Sequence, residues 1–185
     1  MKPLLIVPVT KGPHPTGRIG PQHLQDWWRG LVIARRLLNL ARKEREVMIY
    51  IVSDVQVAGE DHEVDLYIEA LLSMGDYKTM ELSCVRKCQE TICQINHVLE
   101  YAERNNAEVI FVSTWLHYPR VRWLTWRANA SMNVKCWHKV VFGIPRPKEA
   151  LTDFVLIFLF PVIDLMGKRE WFLRKIERRR LSGVH

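Results

Sequence analysis

The chain has 185 residues, enough for one ordinary domain with a real core. Its 48% hydrophobic and 25% charged content exclude a disordered chain. A net charge of +7 favours anionic partners such as nucleotides, phosphorylated lipids or an acidic membrane surface. The charge is uneven, because Arg169, Arg174, Lys175, Arg178, Arg179 and Arg180 gather near the C-terminus. Met1-Lys2-Pro3 leads straight into an apolar run too short for a signal peptide, so neither a signal peptide nor an N-terminal anchor is expected. The expected location is cytoplasmic, with a membrane-peripheral alternative.

Leu4 to Val9 is continuously apolar and predicts a central first strand. Thr10 to Pro21 (TKGPHPTGRIGP) predicts a long loop by its Gly and Pro density. It offers Lys11, Gly12 and Arg18 to a phosphate, or is a plain surface loop; it is not a GxGxxG fingerprint. Gln22 to Lys43 predicts a helix, with Leu24, Trp27, Trp28, Leu31, Ala34 and Leu38 on one face. Arg29 lies in its early turns, towards the preceding loop.

Val47 to Val52 predicts the second strand, and a loop through Gly59 leads to a helix over Asp61 to Met74. Lys78 to Ser83 predicts a weaker, edge-like strand. A helix follows over Val85 to Asn105, with Cys88, Ile92, Ile95, Leu99 and Ala102 as its buried stripe. Val109 to Val112 is an unbroken apolar run, ending at Ser113, Thr114 and Trp115. His117, Tyr118, Pro119 and Arg120 come next, with Pro119 suited to the first turn of a helix. A buried strand that delivers His and Arg to a helix N-terminus can receive an anion; the alternative is a solvated Arg and a packed His. Val134 to Phe142 predicts the fifth strand.

This alternation predicts a parallel sheet covered by helices. In such folds ligands bind beyond the carboxyl ends of the strands, where strand order reverses. With strand order 3-2-1-4-5, the loop Thr10–Pro21 and the turn at His117–Arg120 face one crevice. Residues 1–145 form the predicted α/β domain, and residues 146–185 a helical extension packed on it. Ala150 to Met166 predicts an apolar helix interrupted at Pro161, too short for a confident membrane span. Trp171, Phe172 and Ile176 among many basic residues fit either peripheral contact with an anionic membrane or a docked terminal helix.

Cys84, Cys88, Cys93 and Cys136 form no CxxC pair, and reduced thiols are the simplest expectation. A zinc site from Cys84, Cys88, Cys136 and His138 lacks the usual ligand spacing. No nucleophile elbow, P-loop, zinc-protease motif or paired catalytic carboxylates can be read.

VSTWLHYPRV, Val112 to Val121, resembles the most specific motif of the SanA/ElyC/YdcF-type family of domains of unknown function, in which His-Met-Pro-Arg-Ala follows a strand. His117, Pro119 and Arg120 match. Upstream, the sequence CQET keeps the acid of the family's Thr-x-Glu-Asn helix start as Glu90, with Cys88 and Thr91 at the flanking positions. His62-Glu63 keeps the acid of an earlier Ser-Glu pair, and Arg29 corresponds to the Arg of the first helix. The family's glycine-rich strand ends are replaced by Val9-Thr10-Lys11-Gly12 and Ser53-Asp54-Val55-Gln56. The resemblance covers strand one to about Phe142. It implies a Rossmann-like three-layer αβα sandwich with a mainly parallel five-stranded sheet, followed here by C-terminal helices, and a role in cell-envelope biogenesis.

The candidate site is therefore His117, Glu90 and Glu63 as catalytic residues. Arg120, Arg29, Lys11, Gly12, Arg18, Ser113 and Thr114 are the candidate ligand-binding residues. Arg120 would hold a phosphate or carboxylate, and His117 would exchange a proton or donate a hydrogen bond to the same anion. Glu63 and Glu90 would accept from sugar hydroxyls or orient His117, or serve only as helix-terminal charges. The expected ligand is a phosphorylated small molecule, a nucleotide or an S-adenosylmethionine-like molecule. Two readings stand: a transferase or hydrolase on envelope precursors, and a non-catalytic nucleotide- or adenosyl-binding regulatory module. Nucleic-acid binding through the basic C-terminus is a third and weaker reading.

Overall fold

Apolar runs too continuous for a one-sided sheet become the strands of a parallel sheet covered on both faces. The computed structural model describes residues 2–9, 35–37, 39, 47–53, 56–58, 61–73, 81–86, 88, 90–142, 147–168, 171–172 and 174–175. Its strands are β1 (Leu4–Pro8), β2 (Val47–Val52), β3 (Gln56–Ala58), β4 (Asp61–His62), β5 (Glu81–Val85), β6 (Glu108–Thr114) and β7 (Cys136–Val141). Its helices are α1 (Glu63–Ser73), α2 (Thr91–Arg104), α3 (Tyr118–Ala128) and α4 (Pro147–Leu165). Two compact units divide the chain, Met1–Arg146 and Pro147–His185.

In the first unit five strands form one sheet in the order β5-β2-β1-β6-β7, and every neighbouring pair is parallel. Apart from the small β3–β4 ladder, this is the expected 3-2-1-4-5 order. The chain is an α/β protein of Rossmann-like class. Strand order reverses between β1 and β6, whose pairing runs from Leu4↔Glu108 to Pro8↔Val112. β1 is buried at all five positions, as a strand central in a doubly covered sheet must be.

Side-chain alternation sorts the two faces. Ile49, Ile51, Ile110 and Val112 join Leu37 and the α1 residues Val64, Tyr67 and Leu71 in one apolar cluster. On the other face Tyr50 stacks on Tyr101 of α2, with ring centroids 4.7 Å apart. α2 buries Ile92, Ile95, Val98, Leu99 and Ala102, the three- and four-residue spacing of a single stripe. It stops at Asn105-Asn106, where Asn106 takes φ 51°, a left-handed conformation that Asn tolerates better than most residues. The next amide, Ala107, bonds back to the Ala102 carbonyl at 2.8 Å.

Several boundaries depart from expectation. Val85 closes β5 rather than opening a helix, and α2 begins only at Thr91. The segment expected as the start of a helix at Asp61 first pairs as β4 with β3. Cys88 precedes α2 instead of lying on its stripe, and it is disulfide-bonded to Cys93. That corrects the expectation of reduced thiols: Cys88 takes φ 99°, and its Cα lies 5.4 Å from that of Cys93, within disulfide reach. A disulfide cysteine has no thiolate to offer a metal, so the zinc arrangement with Cys88 does not form. Of the predicted first helix, Arg35, Arg36, Leu37 and Asn39 are described and helical. The loop Thr10–Pro21, with Lys11, Gly12 and Arg18, lies outside the described residues, as does Arg29.

In the second unit α4 starts at Pro147, three residues earlier than expected, and includes Pro161. Among the described residues no helix is long and apolar enough to cross a membrane.

Candidate functional site

The site is built where two crossover helices begin. In a parallel sheet the helix after each strand starts at the carboxyl edge, so the first turns of α2 and α3 both lie there. β5 and β6 are three strand spacings apart, about 14 Å. β5 ends at Val85 and α2 begins at Thr91, so a short crossing joins them. The Cys88–Cys93 disulfide fastens the end of this crossing to the first turn of α2, on either side of Glu90 and Thr91.

Three side chains meet at this point. The Arg120 guanidinium Nη2 lies 3.3 Å from His117 Nε2 and 3.4 Å from Thr91 Oγ1. The Thr91 hydroxyl is itself 3.4 Å from His117 Nε2. Guanidinium groups only donate, so the contact with Arg120 requires His117 Nε2 to present its lone pair. A neutral His117 then carries its proton on Nδ1. All three distances are at the long end of the hydrogen-bond range, so the groups hold one another loosely.

His117 is buried, and it is the residue from which α3 departs: its carbonyl accepts the first intrahelical bond, from the Val121 amide at 3.0 Å. Pro119 in the first turn loses no hydrogen bond by lacking an N–H. His117 to Arg120 is a three-residue step, which puts the imidazole and the guanidinium on one side of the helix start. Glu90 is the residue before α2, with extended backbone at φ −133° and ψ 145° and no side-chain cap. Its carbonyl accepts from the Gln94 amide at 3.0 Å.

The structure thus brings His117 and Arg120 together, with Glu90 next to their shared partner. Ser113 and Thr114 end β6 just before the turn, but on opposite faces. Thr114 alternates with Ile110 and Val112 towards the α1 face, while Ser113 is on the α2 and α3 face with Phe111. Ser113 is 1% exposed, and its hydroxyl has no hydrogen-bond partner among the described residues. Such buried hydroxyls are uncommon in folded proteins. Glu63 is the first residue of α1, and its side chain lies outside the described set.

Thr91 was not among the expected site residues. Its signal was its place beside Glu90 in the CQET segment, and only the closeness of the two helix starts gives it a role. His138 was foreseen only as a metal ligand. Its ring instead stacks on Phe111 at 5.7 Å and meets Tyr118 edge-on at 5.9 Å. Burial, then the Arg122 guanidinium, push its pKa down to about 4, so the ring stays neutral. Cys136, on the same side of β7, has its thiol pushed up to about 12 by burial. It is a packing residue, not a nucleophile.

The chain matches no known protein-family profile. No curated protein sequence matches it either.

Proposed function

We propose that this chain binds a phosphorylated or nucleotide-type ligand at the carboxyl edge of its sheet. Arg120 and the first turns of α2 and α3 receive the phosphate. The observation that carries this reading is the meeting of Thr91, His117 and Arg120 where two helices begin beside the reversal of strand order. Helix N-termini offer unpaired amides and the positive end of the helix dipole, and a guanidinium adds a fixed charge. The resemblance to the SanA/ElyC/YdcF-type family extends this to cell-envelope precursors, with the chain as a transferase or hydrolase. In that role His117 moves the proton, while Glu90 and Glu63 orient it or the substrate.

One observation favours the second reading, a non-catalytic module for a nucleotide or adenosyl ligand. The lone pair of His117 Nε2 is already directed at Arg120 and Thr91, which suits a positioning group better than a free base. A thermal-shift screen of the intact chain against nucleotides, nucleotide sugars and S-adenosylmethionine tests both. Binding is expected to raise the melting temperature of the native chain and not of Arg120→Ala. A ligand whose shift survives Arg120→Ala unchanged refutes the placement of the site. With such a ligand in hand, loss of turnover in His117→Ala at nearly unchanged affinity selects the enzyme. Loss of affinity with no turnover in either form selects the module.

A further inference from the structure

The second unit carries a feature that the ligand site does not use. One side of α4 is packed: Phe160 and Asp164 are buried, and Phe160 meets Phe172 edge-on at 5.7 Å. On the opposite side Leu151, Phe154, Val155, Phe158, Val162 and Leu165 are between 48% and 72% exposed. At about 100° per residue these six fall within an arc of about 100°. That arc contains no charged residue between Leu151 and Leu165. A continuous apolar stripe of this kind on an exposed helix marks an interaction surface.

The charge that follows the stripe identifies the partner. Lys168, Trp171, Arg174 and Lys175 are exposed, and the Lys175 ammonium lies 5.1 Å from the centre of the Trp171 ring. From Lys168 to His185 the sequence has seven Lys and Arg and two Glu, a net charge of 7 − 2 = +5. A second copy aligned in parallel along the same stripe would set two such basic segments side by side. An anionic lipid surface complements both parts at once, with apolar side chains below the headgroups and Lys, Arg and Trp among them. At 19 residues and about 1.5 Å per residue, α4 is about 28 Å long. Its packed side holds a buried carboxyl, so the helix is suited to lying in the interface, not to crossing it.

We propose that α4 docks on an anionic bilayer through the stripe from Leu151 to Leu165, with the basic segment after Lys168 at the headgroups. The test is flotation of the full chain with vesicles of phosphatidylcholine alone and of phosphatidylcholine mixed with phosphatidylglycerol. The chain is expected to float with the anionic vesicles only, and less well as salt is raised. Phe158→Glu is expected to abolish flotation with its far-UV circular dichroism unchanged; Phe158→Ser replaces it if the charged variant misfolds. Each of Lys168→Gln, Arg174→Gln and Lys175→Gln is expected to weaken binding by about fivefold. Equal binding to both vesicle types, or binding that survives both Phe158 variants, overturns the proposal. So does a native dimer that Phe158→Glu splits while the native chain ignores vesicles, since the stripe would then join two copies.

Discussion

His138 makes stability depend on pH in a way that one substitution can isolate. In the folded chain its pKa falls to about 4, while in the unfolded chain it returns to the ordinary histidine value of 6.5. Between these values the unfolded state binds a proton that the folded state does not, so acid favours unfolding. The stability contributed by keeping this ring neutral is complete above about pH 6.5 and is lost as pH falls towards about 4. Taken at face value, the difference is about 2 kcal/mol at about pH 5. The ring is only partly buried, and solvent screening reduces the expectation to about 1 kcal/mol. His138→Phe keeps a ring against Phe111 and Tyr118 and removes the titration. Urea unfolding of both forms from about pH 7.5 to about pH 5 should show the variant gaining about 1 kcal/mol on the native chain. A gap that stays constant over that range would falsify the account of His138 as a ring held neutral by burial and Arg122.

Two further substitutions probe the site and its support. Thr91→Val keeps the side-chain shape and removes the hydroxyl that touches both His117 and Arg120; affinity for inorganic pyrophosphate, measured by calorimetry, should fall by about fivefold, one ordinary hydrogen bond's worth. Unchanged affinity would exclude Thr91 from the binding surface. The Cys88–Cys93 bridge closes a short loop, so reduction should lower the free energy of unfolding in urea by about 2 kcal/mol. Recovery of both cysteines as free thiols in a non-reducing peptide map would contradict the bridge.

Much of the architecture was legible in the chain because parallel strands buried on both faces are written as continuous apolar runs. LLIVPV, VMIYIV and VIFV are short, bounded apolar runs rich in branched residues, and their alternation with helical patterns indicated the class; the 3-2-1-4-5 order was one topology compatible with that alternation. Boundaries were less legible where propensity and topology disagree. Val85 is β-branched and locally favours strand, yet it sits beside the helical pattern that follows; it pairs with Val52 as the last residue of β5. Cys88 fitted the apolar spacing of α2, and only a backbone at positive φ reveals that it belongs to the crossing before the helix. At the site, His117 and Arg120 were legible because they share one short segment. Thr91 is 26 residues from His117, and nothing local announces that their helices start side by side. The apolar side of α4 was read as a packing face, since composition alone does not distinguish a covered stripe from an exposed one.

The central claim is that an anion binds where α2 and α3 begin. It is tested most directly by titrating the isotopically labelled full chain with inorganic pyrophosphate and following backbone amides by NMR. The account predicts the largest shifts at Thr91, Ile92, Tyr118 and Arg120, and their loss in Arg120→Ala. Shifts centred elsewhere on the chain, or unchanged by Arg120→Ala, would contradict it.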